Sequence, residues 1–361
     1  MKKKKILVIC PYPVGVAPSQ RLKFEQYYPY FQEAGFEVVV SPFISKALWN
    51  IIYRKGFFLK KVFYTTIGYI KRIRDLFRIG KYDLIYIHLW VTPFGPAIFE
   101  RLFRLFAKRI IYDIDDLVYL RDVKSKAHPL VNLIKGRRKP IYLMRSADHV
   151  ITCTPHLDEF VRKYNSNTID ISSTVDTNRY LPVNEYSNKK KLTIGWTGST
   201  STSKYFYLLA NVLKALKEQH VFRILVIGDK NIQIDGLEIT AVDWEEEKEV
   251  CYLQQIDIGL YPLPFEQWVF GKSGLKAIQY MALGIPTVAT AIGANFRVIQ
   301  NGISGFLVTD ETEWKQTLKE LLEDSELRRR IGTEGRKKVE RMFSVESNIS
   351  SYLNILKQLT D

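Results

Sequence analysis

The sequence predicts an α/β protein made of two doubly wound parallel-sheet domains. Three observations carry this. Short apolar runs alternate with amphipathic helical stretches, the alternation halts at one polar segment, and it then begins again. With 361 residues, 46% of them hydrophobic and 25% charged, the chain has room for two cores of ordinary composition. Ligands in such sheets bind beyond the carboxyl ends of the strands, so candidate residues are sought there.

In order, Lys5–Cys10 reads as a strand and Ser19–Ala34 as a helix capped by Ser19 and stopped at Gly35. Phe36–Ser41 is a second strand, Lys46–Ile79 a basic helical region and Tyr82–Leu89 a third strand. Helix Pro96–Phe106, strand Arg109–Asp113 and an irregular stretch to about Arg137 follow. Helix Pro140–Ser146, strand His149–Cys153, helix Pro155–Tyr164 and strand Thr168–Ile171 complete the first half. Ser172–Lys191 is polar, carries Pro182 and has no period, so it reads as a linker.

The pattern then restarts with strand Leu192–Trp196, helix Lys204–Gln219, and strands Phe222–Ile227 and Leu237–Val242. Helix Glu245–Gln255 leads to strand Ile256–Leu260, a central helix opening near Gly271-Lys272-Ser273-Gly274, and strand Thr287–Thr290. Strand Gly305–Val308 and helices Glu311–Leu322, Ser325–Arg341 and Val345–Leu359 close the chain.

The stretch Phe265–Val298 is the organising one. A glycine-flanked helix start behind an apolar strand offers free backbone N–H groups and the positive end of the helix dipole, which suits a phosphate. Lys272 and Lys276 place full positive charges in that same turn, against the dipole. A solvated helix start with two surface lysines is the plainer alternative.

The segment KAIQYMALGIPTVAT resembles the donor-binding segment of retaining glycosyltransferases of the GT-B fold, the family 4-like class called glycosyl transferases group 1. That pattern has two glutamates separated by seven residues ahead of A-M-A-x-G-x-P-V-V. Here Gln279 stands at the second glutamate and Gly271 at the first, and GKSGLK with QYM looks like a variant branch carrying G-K-x-G-x-K before Q-Y-M-A.

The resemblance implies two Rossmann-like domains facing across a cleft, residues 1–180 binding the acceptor and 181–343 the nucleotide-sugar, with 344–361 crossing back onto the first. It implies that Gln279 orients the ribose in place of a glutamate, through its carbonyl oxygen. Strand end Val242-Asp243-Trp244 lies where relatives hold the base. The implied reaction moves a sugar from a nucleotide-diphospho-sugar to an acceptor hydroxyl with retention and without a metal or other cofactor.

Gly195–Lys204 is a glycine- and hydroxyl-rich loop opening a helix, suited to a diphosphate through Gly198, Ser199 and Lys204. Relatives carry G-R and then K there, so Ser199 replaces the arginine; a serine-rich helix cap is the alternative. In the first domain, Gly15 in the loop Pro11–Pro18 would let the backbone approach donor or acceptor, and Arg21 could reach either. His88 ends the third strand, where the class often places a histidine, and is a substrate-facing candidate; a buried, satisfied histidine is the alternative.

Asp113-Ile114-Asp115-Asp116 contains D-x-D after a strand, as in metal-dependent GT-A transferases. A complete second α/β unit argues against that fold, so no metal site is expected. Asp113 is read as binding acceptor hydroxyls, and Asp115 or Asp116 as taking a proton from one, unless the cluster only caps a helix or pairs with Arg121 and Lys124.

The net charge is +15, and all the excess falls before Tyr186. Residues 45–81 interleave ten basic side chains, among them Lys60, Lys61, Lys71 and Arg72, with aromatic and aliphatic ones. Such a segment suits an anionic membrane surface unless the aromatics are core. No nucleic-acid recognition module is visible. Cys10, Cys153 and Cys251 are scattered, which argues for reduced thiols and against a disulfide framework or zinc site.

The apolar run after MKKKK is too short for a signal peptide, and no stretch suits a membrane span. The expected place is the cytoplasm, peripheral on the inner face of the cell membrane, with a lipid-linked or membrane-surface glycan as acceptor in cell-surface polysaccharide or glycan assembly. A GT-B nucleotide-sugar epimerase and a non-catalytic nucleotide-binding scaffold are the alternatives.

Overall fold

The computed structural model describes residues 3–117, 136, 138–182 and 191–361. It divides into two compact units, one of residues 1–172 with 349–361 and the other of residues 173–348. The divisions fall at Ser172 and inside the last helix, against the expected 180 and 343. Among the described residues, no helix is long and apolar enough to cross a membrane.

The first unit is a parallel sheet in the order β2-β1-β3-β4-β5-β6. Its strands are β1 (Lys4–Cys10), β2 (Phe36–Pro42), β3 (Leu84–His88), β4 (Ile110–Asp113), β5 (His149–Thr152) and β6 (Thr168–Asp170). β1, β3, β4 and β5 are near-continuous runs of buried Ile, Val, Leu and Tyr, as strands covered on both faces must be. Helices α1 (Pro18–Arg21), α2 (Tyr28–Glu33), α3 (Lys46–Ile52), α4 (Phe58–Arg78), α5 (Ile98–Phe106), α6 (Lys139–Ser146) and α7 (Pro155–Arg162) connect them.

The second unit orders its sheet β12-β11-β10-β7-β8-β9, again all parallel. The strands are β7 (Leu192–Thr197), β8 (Phe222–Ile227), β9 (Thr240–Val242), β10 (Ile258–Tyr261), β11 (Thr287–Thr290) and β12 (Phe306–Val308). Helices α8 (Ala210–Lys217), α9 (Glu249–Leu253), α10 (Leu275–Ala282), α11 (Asn295–Val298), α12 (Glu311–Glu323) and α13 (Ser325–Met342) surround it.

The final helix α14 (Val345–Thr360) joins the first unit through its later turns. There Tyr352 packs 4.5 Å from the Tyr27 ring and 5.9 Å from Phe31, and its hydroxyl donates to the Lys23 carbonyl at 3.4 Å.

Several elements differ from the sequence reading. The single helix expected over Ser19–Ala34 is broken, because Pro29 within a continuous helix would lack an N–H and clash with the preceding turn. The chain instead starts α1 at Pro18, after Ala17 and not Ser19, makes a tight turn at Glu25–Tyr27, and starts α2 with Pro29 in its first turn. Lys46–Ile79 is likewise two helices, parted where Gly56 and Phe57 take left-handed φ of 80° and 59°. The helix expected from Lys204 opens as a 3-10 turn, Ser203–Leu209, and the one over Glu245–Gln255 contracts to α9.

α4 is inverted relative to an ordinary surface helix. It buries Gly68, Arg72 and Asp75, while Phe58, Leu59, Val62, Phe63, Ile67, Ile70, Ile73 and Phe77 are exposed. Gly68 lets the helix lie on Phe43, whose ring is 2.7 Å from where a Cβ would stand. Arg72 is therefore not a surface charge. Its guanidinium donates to the carbonyls of Val91 (2.7 Å), Ser41 (3.0 Å) and Cys10 (3.1 Å) and to Asp75 (3.1 Å).

Replacing Arg72 with leucine leaves those carbonyls and Asp75 unmatched. The expected loss is about 3–5 kcal/mol of stability, read from the denaturant midpoint. A midpoint shift corresponding to less than about 1 kcal/mol would show that the network is dispensable.

Candidate donor site in the carboxy-terminal unit

α10 opens at Gly274, which has φ of 81° and no side-chain cap, so first-turn N–H groups lack intrahelical acceptors. Only glycine fits there, since a Cβ would stand 2.8 Å from Val298. In the first turn, the Lys276 ammonium lies 4.5 Å from the Trp196 ring centroid and 5.6 Å from that of Tyr261. A Cβ on Gly198 would stand 2.8 Å from it. Lys276 is half-buried, and desolvation, with repulsion from Lys272, pushes its pKa down to about 7.

The two loops flanking Lys276 meet through backbone. The Gly198 N–H donates to the Ile227 carbonyl, and a Cβ on Gly228, at φ 104°, would sit 1.9 Å from the Gly198 carbonyl oxygen. Val242 ends β9 and accepts from the Gly228 N–H at 2.8 Å. Lys204 is exposed and lies over Tyr205, which stacks 5.3 Å from Trp268, which Lys272 covers in turn. A rim of two lysines and two rings thus borders the helix start.

One expected donor contact is corrected. The Ser199 N–H goes to the Thr202 hydroxyl at 3.1 Å and its own hydroxyl pairs with Ser201 at 2.8 Å, so Ser199 closes its own turn, the helix-cap alternative. Gln279 is held from behind, its amide nitrogen donating to the Tyr180 hydroxyl (3.0 Å) and to Glu249 (3.2 Å), and these bonds do not engage the carbonyl oxygen expected at the ribose. Ser273 is buried in a 2.9 Å hydroxyl pair with Ser173, while Gly271 is buried just ahead of it.

Glu249, which the sequence reading passed over, is the hub of that inner network. Buried on α9, it also accepts from the Trp244 indole at 2.9 Å and the Tyr180 hydroxyl at 2.8 Å. It thereby fixes Trp244 at the end of β9. Trp196 and Tyr261 were equally missed, because an aromatic residue in a strand reads as core.

In the amino-terminal unit the loop after β1 is held from below. The Gln20 amide bonds both the N–H and the carbonyl of Tyr12, and Glu25 accepts from the Gly15 N–H at 2.9 Å. The Gly15 N–H is thus engaged by protein. Burial raises the Glu25 pKa, and the buried Arg21 beside it opposes this.

Asp113 is corrected from acceptor ligand to structural anchor. It is fully buried, and its oxygens pair with the Lys23 ammonium and the Tyr86 hydroxyl. Burial alone would raise its pKa, but Lys23 and His88 together outweigh that and hold it below the ordinary carboxylate range.

His88 is fully covered and packs 4.9 Å from the Phe24 ring, with Nδ1 3.6 Å from Asp113. Neither ring nitrogen has a hydrogen-bond partner among the described residues. Asp115 and Asp116 remain partly exposed, Asp116 at a left-handed φ of 57° with its N–H on Asp115 at 3.1 Å. Arg121 and Lys124 lie outside the described residues. Among those described, no three His, Cys, Asp or Glu side chains are grouped to hold a metal.

Glu249→Leu removes the acceptor shared by Trp244, Tyr180 and Gln279. A loss of roughly 3 kcal/mol is expected, about one per unmatched donor, in chemical denaturation; an unchanged midpoint would deny the network any structural weight.

With this geometry in hand, comparison places residues 191–324 in the family model "Glycosyl transferases group 1". A D-inositol 3-phosphate glycosyltransferase from Arthrobacter sp. is 23% identical over 305 residues, 76% of this chain and 70% of that one. Among solved structures, Anabaena HepE in complex with UDP and glucose superposes with a TM-score of 0.72 at 15% identity, covering 98% of this chain and 100% of that one. A sucrose-phosphate synthase from Thermosynechococcus elongatus gives 0.70 at 17% identity over 99% of both chains. The fold is GT-B.

Proposed function

We propose, for a chain that is a glycosyltransferase with a group 1 domain in its carboxy-terminal unit, transfer of a sugar from a nucleotide-diphospho-sugar to an acceptor hydroxyl at a membrane surface. The observation that carries the donor half is the half-buried Lys276 ammonium between two rings at a glycine-opened helix start, with Lys272 on the turn before it and no carboxylate paired to Lys276 among the described residues.

A pyrophosphate laid there receives first-turn N–H groups, the helix dipole and two ammonium charges. Charge builds on the leaving nucleotide diphosphate as the glycosidic bond breaks, and preorganised cations meet it without a metal. Lys204 adds a mobile charge at the rim. Trp244, steadied by Glu249, is offered to the base. Retention of configuration is the outcome that the resemblance of the KAIQYMALGIPTVAT segment implies. UDP-sugars are the first donors to test, since a UDP-bound structure has this fold.

The amino-terminal unit presents the acceptor, with Asp115 and Asp116 as the exposed carboxylates able to take its proton. Docking at an anionic membrane follows from α4, whose outer face combines Phe58, Leu59, Phe63, Ile70 and Phe77 with Lys60 and Lys61. Phe94, Ile98, Leu105 and Phe106 extend the exposed apolar surface onto α5 and the loop before it. A lipid-linked acceptor on the inner face of the cell membrane, in cell-surface glycan assembly, is the substrate such a face would reach.

Incubation with UDP- and GDP-sugars should release nucleotide diphosphate only when a lipid-linked acceptor is supplied. Turnover that consumes no acceptor would instead mean epimerisation or hydrolysis, and binding without turnover a scaffold. Lys272→Ala and Lys276→Ala should each weaken nucleotide diphosphate binding by about 1–3 kcal/mol, and calorimetric affinities equal to wild type would remove them from the site. Replacing Phe58, Phe63 and Phe77 by serine together with Lys60 and Lys61 by glutamate should abolish salt-sensitive binding to phosphatidylglycerol vesicles. Vesicle binding that survives those changes excludes α4 as the docking face.

A further inference from the structure

We propose that Lys276 takes up a proton from solvent when the donor pyrophosphate binds, so that donor affinity falls as the pH rises through neutrality. The inference rests on the donor reading above and goes beyond it, by making the charge that grips the phosphate conditional on the ligand itself.

The geometry supplies the two requirements. The first is desolvation without compensation. The Lys276 Nζ is walled by Trp196 from β7 and Tyr261 from β10, with Gly198 beneath it, and none of these offers an anion. Two aromatic faces attract a cation, but each contributes only a small part of the hydration that a desolvated ammonium loses.

The second requirement is the surrounding charge. Lys272 on the preceding turn opposes the ammonium form. Lys204 stays exposed at the rim over Tyr205. Tyr280, on the same helix, accepts at its hydroxyl oxygen from the Thr197 N–H at 2.8 Å, and burial keeps the phenol neutral. The group titrates near 7 as a result, with burial the larger cause and Lys272 the lesser.

A pyrophosphate reverses both conditions. It brings negative charge to within contact of Nζ and replaces the missing anion, so the bound state favours the ammonium. The balance is simple: one proton leaves solvent, one Nζ lone pair becomes an N–H bond, and the net charge of the complex rises by one relative to the free components. Linkage then sets the sign. A pKa higher in the complex than in the free protein means tighter binding at lower pH, with the effect lost below the free value.

The experiment is calorimetric titration of the whole chain with UDP-glucose and GDP-glucose, whose diphosphates carry no titrating oxygen near neutrality, in PIPES and in Tris at pH 7.5. Buffer-dependent enthalpy showing uptake of a fraction of a proton, and affinity falling close to tenfold from pH 7.5 to 8.5, are expected. Lys276→Arg keeps the charge permanently and should bind with neither uptake nor pH dependence. Lys276→Met should bind more weakly, also without uptake.

Wild-type binding with no uptake and a flat pH profile overturns the proposal while leaving the donor reading intact. Uptake that persists in Lys276→Met assigns the proton elsewhere and overturns it too. Failure of both nucleotide sugars to bind overturns the donor reading and this inference with it.

Discussion

A cation held out of water must be balanced by something, and the chain shows both ways of meeting that demand. Lys23 is fully buried and ion-paired to Asp113, Arg72 to Asp75 at 3.1 Å, and Lys139 to Glu100 at 3.4 Å. Each of these carboxylates also anchors a strand end or a loop, so the pairs fix the amino-terminal unit's frame. Lys276 is flanked by rings instead. Lys276 is half-buried with no carboxylate partner among the described residues, and desolvation of such an ammonium opposes its charge. A charge so opposed at a helix start is most economically explained by an anion that comes and goes.

The distribution of carboxylates in the second unit follows from the same demand. Where the resembling class has glutamates, this chain has Gly271 and Gln279, and the pocket beside two lysines would otherwise carry negative charge competing with phosphate. The buried carboxylate is placed one helix away, as Glu249 on α9, satisfied by a tryptophan, a tyrosine and a glutamine. Gln279 then acts as a neutral strut between α10 and that carboxylate. Gly271 and Gln279 keep two carboxylates out of the turn itself, while Glu266 stays at its rim on the Trp268 indole and Glu249 behind it.

Strands were legible in the sequence because parallel strands covered on both faces are apolar throughout, and β8 and β11 carry the expected bounds. The glycine-flanked start of α10 was legible through its residue types. Pro29 was a visible breaker whose effect was underweighted. What the sequence could not show was direction. Asp113 and His88 stand at strand ends as expected, yet point inward, since a strand end does not say on which side its last side chain falls. Glu249 and Gln20 carry no local pattern, because their partners lie far along the chain. Arg72 looked like one more surface charge within a basic run, and only packing on β2 shows otherwise.

The same packing explains why α4 is built backwards. A helix that seats Arg72 and Asp75 against Ser41 and the Cys10 carbonyl must turn its remaining face outward, and that face is mostly apolar. Burying one large apolar side chain stabilises by about 1.5–3 kcal/mol, so leaving six or more exposed forgoes on the order of 10 kcal/mol, comparable with a whole domain's stability. The polar anchor can hold the helix in place without that contribution, which frees the outer face for a second environment. Lys60, 5.8 Å from the Phe57 ring, and Lys61, on the Arg54 carbonyl at 2.6 Å, set cationic groups beside that apolar face, the combination the proposed anionic surface would meet. The buried Arg72 is thus what allows the exposed phenylalanines, and the face proposed to dock on a membrane is a consequence of a polar contact in the interior.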